Sequence, residues 1–252
     1  MRAIIRKTML YKTGVEYGDY TMNHVLGCAH GCKYPCYAFM MAKRFGKVSS
    51  YQEWISPKIV CNTLELLDKE IPHMKSRIKS VQLCFTTDPF MCGYEEIQQM
   101  SLKSIAKLNA AGIKCSVLTK GILPFTLSEY SKSNEYGITL VTLDEKFREK
   151  MEPNASDCEN RLSSLLNLHN RGFYTWVSIE PYPTPNIYTQ NLSDILNAIG
   201  FVDKIIFGRT HYSKEVTSFK ENKEFYNQQA AKVIDFCQHR NISYHIKTGT
   251  IS

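Results

Sequence analysis

Three cysteines lie close together near the N-terminus, at Cys28, Cys32 and Cys36. The segment around them reads Gly-Cys-Ala-His-Gly-Cys-Lys-Tyr-Pro-Cys-Tyr, a C-x3-C-x3-C spacing, and it follows a strand-like run over Tyr20–Leu26. Thiolates at such spacing are metal ligands, and three of them leave one coordination position open, as catalytic metal sites do. The loop therefore predicts a metal centre with an open position.

Two kinds of metal centre are compatible with this loop. The first is a Cys3His zinc site with His30 as the fourth ligand, although His30 lies only two residues from Cys28 and from Cys32, a tight fit for one tetrahedron. The second is an iron–sulfur cluster with three cysteine-ligated irons and one free iron. The residues favour the cluster and leave zinc as the alternative.

The chain has 252 residues, of which 43% are hydrophobic and 22% charged. This composition and length predict a single domain over 1–252, with a core over about 18–212 and a C-terminal helix and strand in 213–252. We expect a monomer in the cytoplasm with no membrane span, because no run approaches ~18 apolar residues and Met1–Leu10 lacks the apolar stretch of a secretion signal. The nine cysteines are then thiols or metal ligands rather than disulfides.

The formal net charge of +7 is compatible with a polyanionic partner such as nucleic acid. Candidate contact residues are Lys43, Arg44 and Lys47, which follow the cysteine loop, and Arg209 and His211, which follow the sixth predicted strand. An ordinary solvated surface explains the same charges, so both interpretations stay open.

Strand-like runs alternate with helical ones along the chain, which indicates βα units and a parallel sheet. The fold class predicted is α/β, as a partial (β/α)6 TIM-type barrel of parallel strands with outer helices. Such barrels carry their active site at the C-terminal ends of the strands. The predicted strands are Tyr20–Leu26, Val81–Thr86, Ile113–Thr119, Gly137–Thr142, Phe173–Ile179, Lys204–Phe207 and Ile242–Ile246.

Two helices have recognisable ends. Apolar periodicity predicts a helix over Tyr94–Ala111 that stops at Gly112. The pattern Ser156-x-x-Glu159 resembles a capping box that opens a second helix. The leucines that this second helix is expected to bury are Leu162, Leu165, Leu166 and Leu168.

Polar residues follow the predicted strands where each strand ends. Because parallel strands end at the same edge of a sheet, these residues are expected to lie together beside the cysteine loop. They are Thr86, Thr87 and Asp88 after the second strand, Lys120 after the third, Thr142 after the fourth and Glu180 after the fifth.

The cysteine loop resembles the cluster loop of radical S-adenosylmethionine (SAM) enzymes. It is similar in particular to the spore photoproduct lyase-like branch, where a histidine lies between the first two cysteines and Cys-Tyr-Ala closes the loop. The resemblance covers about Met22–Pro183. It continues in Thr86-Thr87-Asp88-Pro89-Phe90, Leu118-Thr119-Lys120, Glu152-Pro153-Asn154-Ala155 with Arg161-Leu162, and Ile179-Glu180-Pro181.

One departure from the family concerns the loop itself. The usual spacing is C-x3-C-x2-C, whereas this chain has one extra residue before the third cysteine. Pro35 stands where an aromatic residue normally lies beside the adenine, and Tyr34 and Tyr37 are the candidates to replace it. Loop closure depends weakly on length, so the longer loop still reaches a cluster.

The resemblance implies a [4Fe–4S] cluster on Cys28, Cys32 and Cys36, with SAM on the open iron. A one-electron reductant such as flavodoxin or ferredoxin supplies the electron that cleaves SAM to a 5′-deoxyadenosyl radical, which takes hydrogen from the substrate. Acceptors are needed for the ammonium of SAM and a cation for its carboxylate, the latter role suiting Lys120. The cofactor-binding residues implied are Tyr34, Tyr37, Thr86, Thr87, Asp88, Lys120, Thr142 and Glu180.

Strand alternation yields candidates for substrate contact. Tyr174, Trp176 and Glu180 share one face of the fifth strand, and Cys84 shares a face with Thr86. The candidate catalytic residues are therefore Cys84, Tyr174 and Trp176. The lyase-like branch suggests nucleic acid as substrate; a peptide, a small metabolite, or a non-catalytic iron–sulfur or zinc module are the alternatives.

Overall fold

The strands of the computed structural model, which describes residues 1–251, form two sheets. Eleven strands are numbered in chain order within these residues. They are β1 (Arg2–Ile4), β2 (Tyr11–Lys12), β3 (Tyr20–Met22), β4 (Val25–Leu26), β5 (Lys58–Val60), β6 (Ser80–Leu83), β7 (Lys114–Thr119), β8 (Glu135–Thr139), β9 (Tyr174–Tyr182), β10 (Lys204–Arg209) and β11 (Ser243–Ile246).

Helices connect most of the strands of the larger sheet. They are α1 (Tyr37–Arg44), α2 (Tyr51–Trp54), α3 (Thr63–Met74), α4 (Glu95–Ala110), α5 (Glu145–Met151), α6 (Cys158–Asn170), α7 (Leu192–Ala198), α8 (Lys214–Ser218) and α9 (Asn222–Arg240). A 3₁₀ helix over Phe125–Glu129 lies between β7 and β8. Across residues 1–251, none of the helices has the length and apolar character that crossing a bilayer requires.

The larger sheet has the order β11-β10-β9-β8-β7-β6-β3-β2. All neighbours from β3 to β11 are parallel, and only β2 runs antiparallel, against β3. The predicted α/β class and partial barrel are confirmed, since strands from all seven expected segments are consecutive neighbours here. The edge strands β2 and β11 are not paired with each other in this order, so the barrel is open on one side.

A turn over residues 13–19 bridges the open side by side-chain contacts. The carboxylate of Glu16 accepts hydrogen bonds from the backbone N–H of Thr248 at 3.2 and 3.3 Å and lies 2.6 Å from Nε2 of His245. Tyr17, the next residue, has its ring 5.5 Å from the His245 ring. The β2–β3 turn therefore contacts the end of β11 without any strand pairing between them.

The prediction of one strand over Tyr20–Leu26 is wrong. The segment forms β3 in the barrel sheet and β4 in a separate three-stranded sheet of order β1-β5-β4. Between them, the Asn23 side-chain carbonyl accepts hydrogen bonds from the backbone N–H and hydroxyl of Thr86, and the backbone carbonyl of His24 accepts one from Val60 N–H. These contacts replace strand pairing, and the chain leaves the barrel just before the cysteine loop.

The ends of α4 agree with those predicted from the sequence, whereas the start of α6 does not. Gly112 follows α4 with φ of +77°, the left-handed region that glycine favours at a helix end. The N-cap of α6 is Asp157, whose carboxylate accepts a hydrogen bond from Asn160 N–H at 2.7 Å, so the capping box expected from Ser156 is wrong. The Ser156 N–H donates instead to the carbonyl of Lys120.

The core lies between the larger sheet and its helices. It includes Val117, Ile138, Val177 and Ile205 from the outward face of the strands, together with Leu165 of α6. Each such side chain contributes about 1.5–3 kcal/mol through removal from water. On α6 the expected burial holds for Leu165 and Leu168 but not for Leu166, which is 39% exposed because it lies on the outer face of the helix.

Leu165→Ala is expected to lower the free energy of unfolding by about 2–5 kcal/mol, because it deletes buried methyl groups and leaves a cavity. Leu166→Ala is the matched control on the same helix and should cost less than about 1 kcal/mol. Urea unfolding of both variants followed by circular dichroism measures the difference. Equal losses for the two would contradict this placement of α6.

Candidate active site

A cavity of about 290 Å³ lies at the C-terminal ends of the barrel strands. It is lined by residues of the cysteine loop and of several strand ends: Cys28, His30, Cys32, Cys36, Thr86, Thr87, Asp88, Lys120, Trp176, Glu180 and Lys247. A second cavity of about 590 Å³ shares Cys32, Cys36, Lys120, Glu180 and Lys247 with it and opens toward the surface; we call this second space the vestibule. The structure thus brings the loop and most of the strand-end polar residues together.

The cysteine loop is fixed by hydrogen bonds to its backbone. The N–H of Cys28 donates to the carbonyl of Trp54 at 2.9 Å, and the Tyr51 hydroxyl donates to the carbonyl of Cys32 at 2.9 Å. Asn154 contributes from the opposite side, since its side-chain amide donates to the Ala29 carbonyl and its N–H to the His30 carbonyl. These bonds hold the backbone that carries the thiols.

The carboxylate of Asp88 accepts four hydrogen bonds. One oxygen accepts from the N–H of Phe90 at 2.8 Å and the hydroxyl of Thr119 at 2.7 Å. The other accepts from the N–H of Lys120 at 2.8 Å and lies 2.8 Å from Nε2 of His30. Burial alone would raise the pKa of Asp88, but His30 and these donors hold it below its ordinary value.

Asp88 lines the cavity, and its expected role in cofactor binding stays a prediction, although each of its oxygens already has two partners within the protein. Asp88 is also placed to position His30 and the backbone of Lys120. His30 is equally committed: Nε2 faces Asp88, and Nδ1 lies 3.5 Å from the carbonyl of Asn154. Among residues 1–251, no three His, Cys, Asp or Glu side chains converge as a single-ion site requires. His30 thus faces Asp88 and Asn154 in this structure, and a Cys3His zinc site stays the alternative to a cluster.

Lys120 belongs to a buried ionic network beside the loop. Its ammonium donates to one oxygen of Glu152 at 2.6 Å and lies 3.5 Å from the sulfur of Cys32. The other oxygen of Glu152 accepts from Arg161 at 2.8 Å, and Arg161 also donates to the backbone carbonyls of Ser156 and Thr139. Burial opposes ionisation of Glu152, but Lys120 and Arg161 lower its pKa to about 2. The network holds two cations and one anion at the edge of the cavity.

The three cysteines fit an iron–sulfur cluster by their chemistry and placement. All three are free thiols that line one cavity. Burial raises the pKa of Cys32 to about 11, although Lys120 opposes the shift, so the thiol keeps its proton until a metal displaces it. A cluster would be held by Cys28, Cys32 and Cys36, with Lys120 beside one of its ligands.

The other expected cofactor residues occupy three kinds of position. Thr86 and Thr87 line the cavity, and Tyr34 is buried beside the loop with the Lys120 ammonium 5.4 Å from its ring centre. Tyr37 is 53% exposed at the vestibule and stacks on Tyr212, with ring centres 6.2 Å apart. Both tyrosines expected near the adenine thus line the vestibule, Tyr34 from within the loop and Tyr37 from the first residue of α1.

Thr142 and Tyr174 lie away from the cavity. The hydroxyl of Thr142 accepts a hydrogen bond from Asp144 N–H at the start of α5, because β8 ends at Thr139 and the chain has already turned. Tyr174 is the first residue of β9, at the opposite end of the strand from Glu180. Neither residue lines the cavity or the vestibule.

The remaining candidates do line the cavity. Cys84 follows β6 with φ of +50°, and its sulfur lies 3.4 Å from Nδ1 of buried His24. Trp176 is 3% exposed, and Glu180 forms an ion pair with Lys247 at 3.0 Å. Of the basic candidates, Arg209 and His211 line the vestibule, whereas Lys43, Arg44 and Lys47 are exposed at the far end of α1 and line neither space.

Four residues of the site were not expected as site residues: Tyr17, Glu152, Arg161 and Lys247. The sequence pointed to Glu152 and Arg161, since both belong to segments that resemble the lyase-like branch. Lys247 directly follows the seventh predicted strand, so the strand-end rule applied to that strand would have found it. Tyr17 had no signal, because it reaches the cavity from a turn on the open side of the barrel.

The fold and site describe an open parallel barrel with three free thiols at the C-terminal edge of its strands. Among solved structures, spore photoproduct lyase complexed with dinucleoside spore photoproduct superposes with a TM-score of 0.71, over 97% of this chain and 80% of that chain, at 14% identity. A doubly substituted form of that lyase with bound AdoMet and the dinucleoside gives 0.69 at 13% identity, over the same shares of the chains. SuiB of Streptococcus suis bound to S-adenosylmethionine gives 0.53 at 14% identity, over 71% of this chain and 40% of SuiB.

These neighbours are radical SAM enzymes, and the predicted resemblance to the spore photoproduct lyase-like branch is confirmed at the level of the fold. No protein-family profile matches the chain. Among curated proteins, an uncharacterized protein of Acidianus two-tailed virus is 27% identical over 195 residues, and one of Methanocaldococcus jannaschii is 27% identical over 178 residues. The aligned regions cover 74% and 69% of this chain and 64% of each relative.

Glu152→Gln is expected to destabilise the protein by about 3–5 kcal/mol at pH 7, because it leaves Lys120 and Arg161 buried without their counter-ion. The pKa of Glu152 is lowered on folding from 4.5 to about 2. Its contribution is therefore complete above about pH 4.5 and is lost as the pH falls toward 2. Denaturant unfolding of wild-type and Glu152→Gln protein between pH 7 and pH 2 measures how this contribution to the free energy of unfolding depends on pH.

The difference in free energy of unfolding between wild type and Glu152→Gln is expected to shrink as the pH falls from about 5 to 2. Glu159→Gln, an exposed substitution on α6, is the control and should leave the wild-type profile unchanged. A gap of constant size over the whole range would contradict the assignment of this pKa to the ionic network.

Proposed function

We propose that the protein is a radical SAM enzyme that uses a [4Fe–4S] cluster to generate a 5′-deoxyadenosyl radical for hydrogen abstraction from a substrate. The observation that carries the proposal is that three free thiols and the Lys120 ammonium meet in one cavity at the C-terminal edge of this barrel. When bound, the cluster and SAM supply an electron and the carbon radical that the protein's own side chains cannot supply. The fold shared with spore photoproduct lyase and SuiB supports the same conclusion.

In this proposal the chain's residues hold and orient the two groups. Cys28, Cys32 and Cys36 bind the cluster. Lys120 offers a cation for the SAM carboxylate, and its pairing with Glu152 keeps the ammonium next to Cys32. Thr86 and Thr87 offer acceptors for the SAM ammonium, and a flavodoxin or ferredoxin serves as the one-electron donor.

We further propose nucleic acid as the substrate class. The support is the composition of the vestibule, where Arg209, His211 and Lys247 lie near the exposed pair of stacked tyrosines, Tyr37 and Tyr212. Cations that neutralise phosphates and aromatic faces that stack on bases are how proteins bind single strands. The lyase neighbour was solved with a dinucleoside spore photoproduct, which is in line with this choice.

Alanine at Cys28, Cys32 or Cys36 is expected to abolish iron binding, because each thiol is a ligand of the cluster. Anaerobically reconstituted wild-type protein should hold about four irons and four sulfides per chain and release 5′-deoxyadenosine from SAM under reduction. Iron and sulfide assays with chromatography of the products measure both.

Cys115→Ala and Cys158→Ala are the matched controls, because these buried cysteines lie outside the cavity and should keep the iron content unchanged. Full iron content in the triple Cys28/Cys32/Cys36 variant would overturn the cluster assignment. One zinc per chain without SAM turnover would instead support a zinc-binding module.

Binding of a fluorescent single-stranded oligonucleotide is expected to weaken steeply between 50 and 200 mM salt, because each neutralised phosphate releases counterions. Arg209→Gln and Lys247→Gln should each reduce the slope of log K against log salt by about 0.7. Lys103→Gln, an exposed lysine on α4, is the control with an unchanged slope. No binding at low salt would exclude nucleic acid and favour a peptide or small metabolite as the substrate.

A further inference from the structure

A third cavity, of about 610 Å³, borders the cysteine loop, and we call it the groove. All three residues between Cys32 and Cys36 line it, in the part of the loop that is one residue longer than the usual C-x3-C-x2-C spacing. Among residues 1–251, Cys32 and Cys36 are the only ones that line both the groove and the cavity at the strand ends. The groove therefore borders two of the three thiols separately from that cavity.

The wall of the groove is mostly apolar. Phe39 and Met40 of α1 line it, together with Met151 of α5 and Ile187 from the segment after β9. Glu215 is the one acidic residue among the lining residues of the described chain, and its carboxylate accepts a hydrogen bond from a neighbouring serine hydroxyl at 2.8 Å. An apolar depression with polar residues around it is typical of a surface that binds another protein.

The stretch of chain that forms the loop and α1 carries basic residues without acidic ones. Between Asp19 and Glu53 the sequence contains no aspartate or glutamate, and its lysines and arginine are Lys33, Lys43, Arg44 and Lys47. All four side chains are exposed, and within residues 1–251 none of them pairs with a carboxylate. Their charge is therefore available to a partner.

Two of these cations lie on the side of α1 that lines the groove. Lys43 and Arg44 follow Met40 by three and four residues, a spacing that places side chains on the same face of a helix. Lys33 lines the groove itself, and Phe45, directly after the helix, is 65% exposed. The groove thus combines an apolar wall with a basic rim.

We propose that the groove is the docking surface of an acidic one-electron carrier protein, which passes its electron to the cluster at Cys32 and Cys36. The carrier loses one electron and the cluster gains it, and no bond forms or breaks. This inference rests on the proposed function, because it needs a cluster on the three thiols. Complexes of electron carriers are small and transient, and opposite charges on the two surfaces steer their association.

The position of the groove favours a carrier over nucleic acid as its occupant. A carrier has to approach the cluster while SAM and substrate occupy the cavity, and the groove borders Cys32 and Cys36 separately from that space. The vestibule has its own cations beside the stacked rings of Tyr37 and Tyr212, which suit a single strand. The apolar wall of the groove instead suits the surface of a folded protein.

The test measures the binding of two acidic carriers, a bacterial flavodoxin and a [2Fe–2S] ferredoxin, to anaerobically reconstituted protein by calorimetry at low salt. Wild-type protein should bind at least one of them, with an affinity that falls as salt is added. The double variant Lys43→Glu/Arg44→Glu should bind that carrier about tenfold more weakly, because two attractions become repulsions. Its release of 5′-deoxyadenosine under dithionite should equal that of wild type, since a small reductant needs no docking surface.

Lys75→Glu/Arg77→Glu is the matched control, with the same change in net charge on exposed residues that precede β6, at the opposite edge of the sheet from the site. It should bind the carrier as wild type does. Equal carrier affinity in all three proteins, or no binding of either carrier by wild type that is active with dithionite, would overturn the docking surface and leave the proposed function intact. Absence of iron and of dithionite-driven SAM cleavage in wild type would instead reject the proposed function, and the docking surface with it.

A single-stranded oligonucleotide titration of the same proteins tests the other occupant. The docking proposal expects Lys43→Glu/Arg44→Glu to bind the strand about as wild type does, apart from the general effect of net charge seen in Lys75→Glu/Arg77→Glu. Loss of strand binding with unchanged carrier binding would assign these cations to nucleic acid and overturn the proposal.

Discussion

The four hydrogen bonds accepted by Asp88 join parts of the chain that the site needs together. The carboxylate is buried at the end of β6, and its donors come from the cysteine loop, from the end of β7 and from its own turn. A buried carboxylate is stable only when donors satisfy both oxygens, so this group fixes the relative positions of all three segments. The network of Lys120, Glu152 and Arg161 then adds α6 and the end of β8 to the same assembly.

The sequence predicted the barrel well because a parallel sheet repeats one simple pattern. The strands β6 and β7 place Val81, Leu83 and Val117 in the core, and polar residues follow both strands at the same edge of the sheet. The rule that active sites lie at this edge predicts that Asp88, Lys120 and Glu180 lie together, and all three line one cavity. It failed for Thr142, because the strand before it ends three residues earlier than its apolar run suggests.

The role of individual polar residues was harder to predict than their location. Asp88 was expected to bind the cofactor, and its actual partners include the backbone N–H groups of Phe90 and Lys120, which carry no signal in the sequence. The same limit applies to Tyr17, which reaches the cavity from the far side of the open barrel. Position along a strand can be derived from periodicity, whereas hydrogen-bond partners depend on tertiary contacts between distant segments.

The open side of the barrel has a consequence for access to its interior. The contact of Glu16 with His245 joins residues 229 positions apart and involves side chains and a turn, not strand pairing. The contacts between the turn that carries Tyr17 and the end of β11 are therefore separate from the hydrogen bonds of the parallel sheet. Regions held by few such contacts open at a lower free energy than the core. The Glu16 carboxylate and the Tyr17 ring thus close this side of the barrel, whereas hydrogen-bonded parallel strands form the rest of its wall.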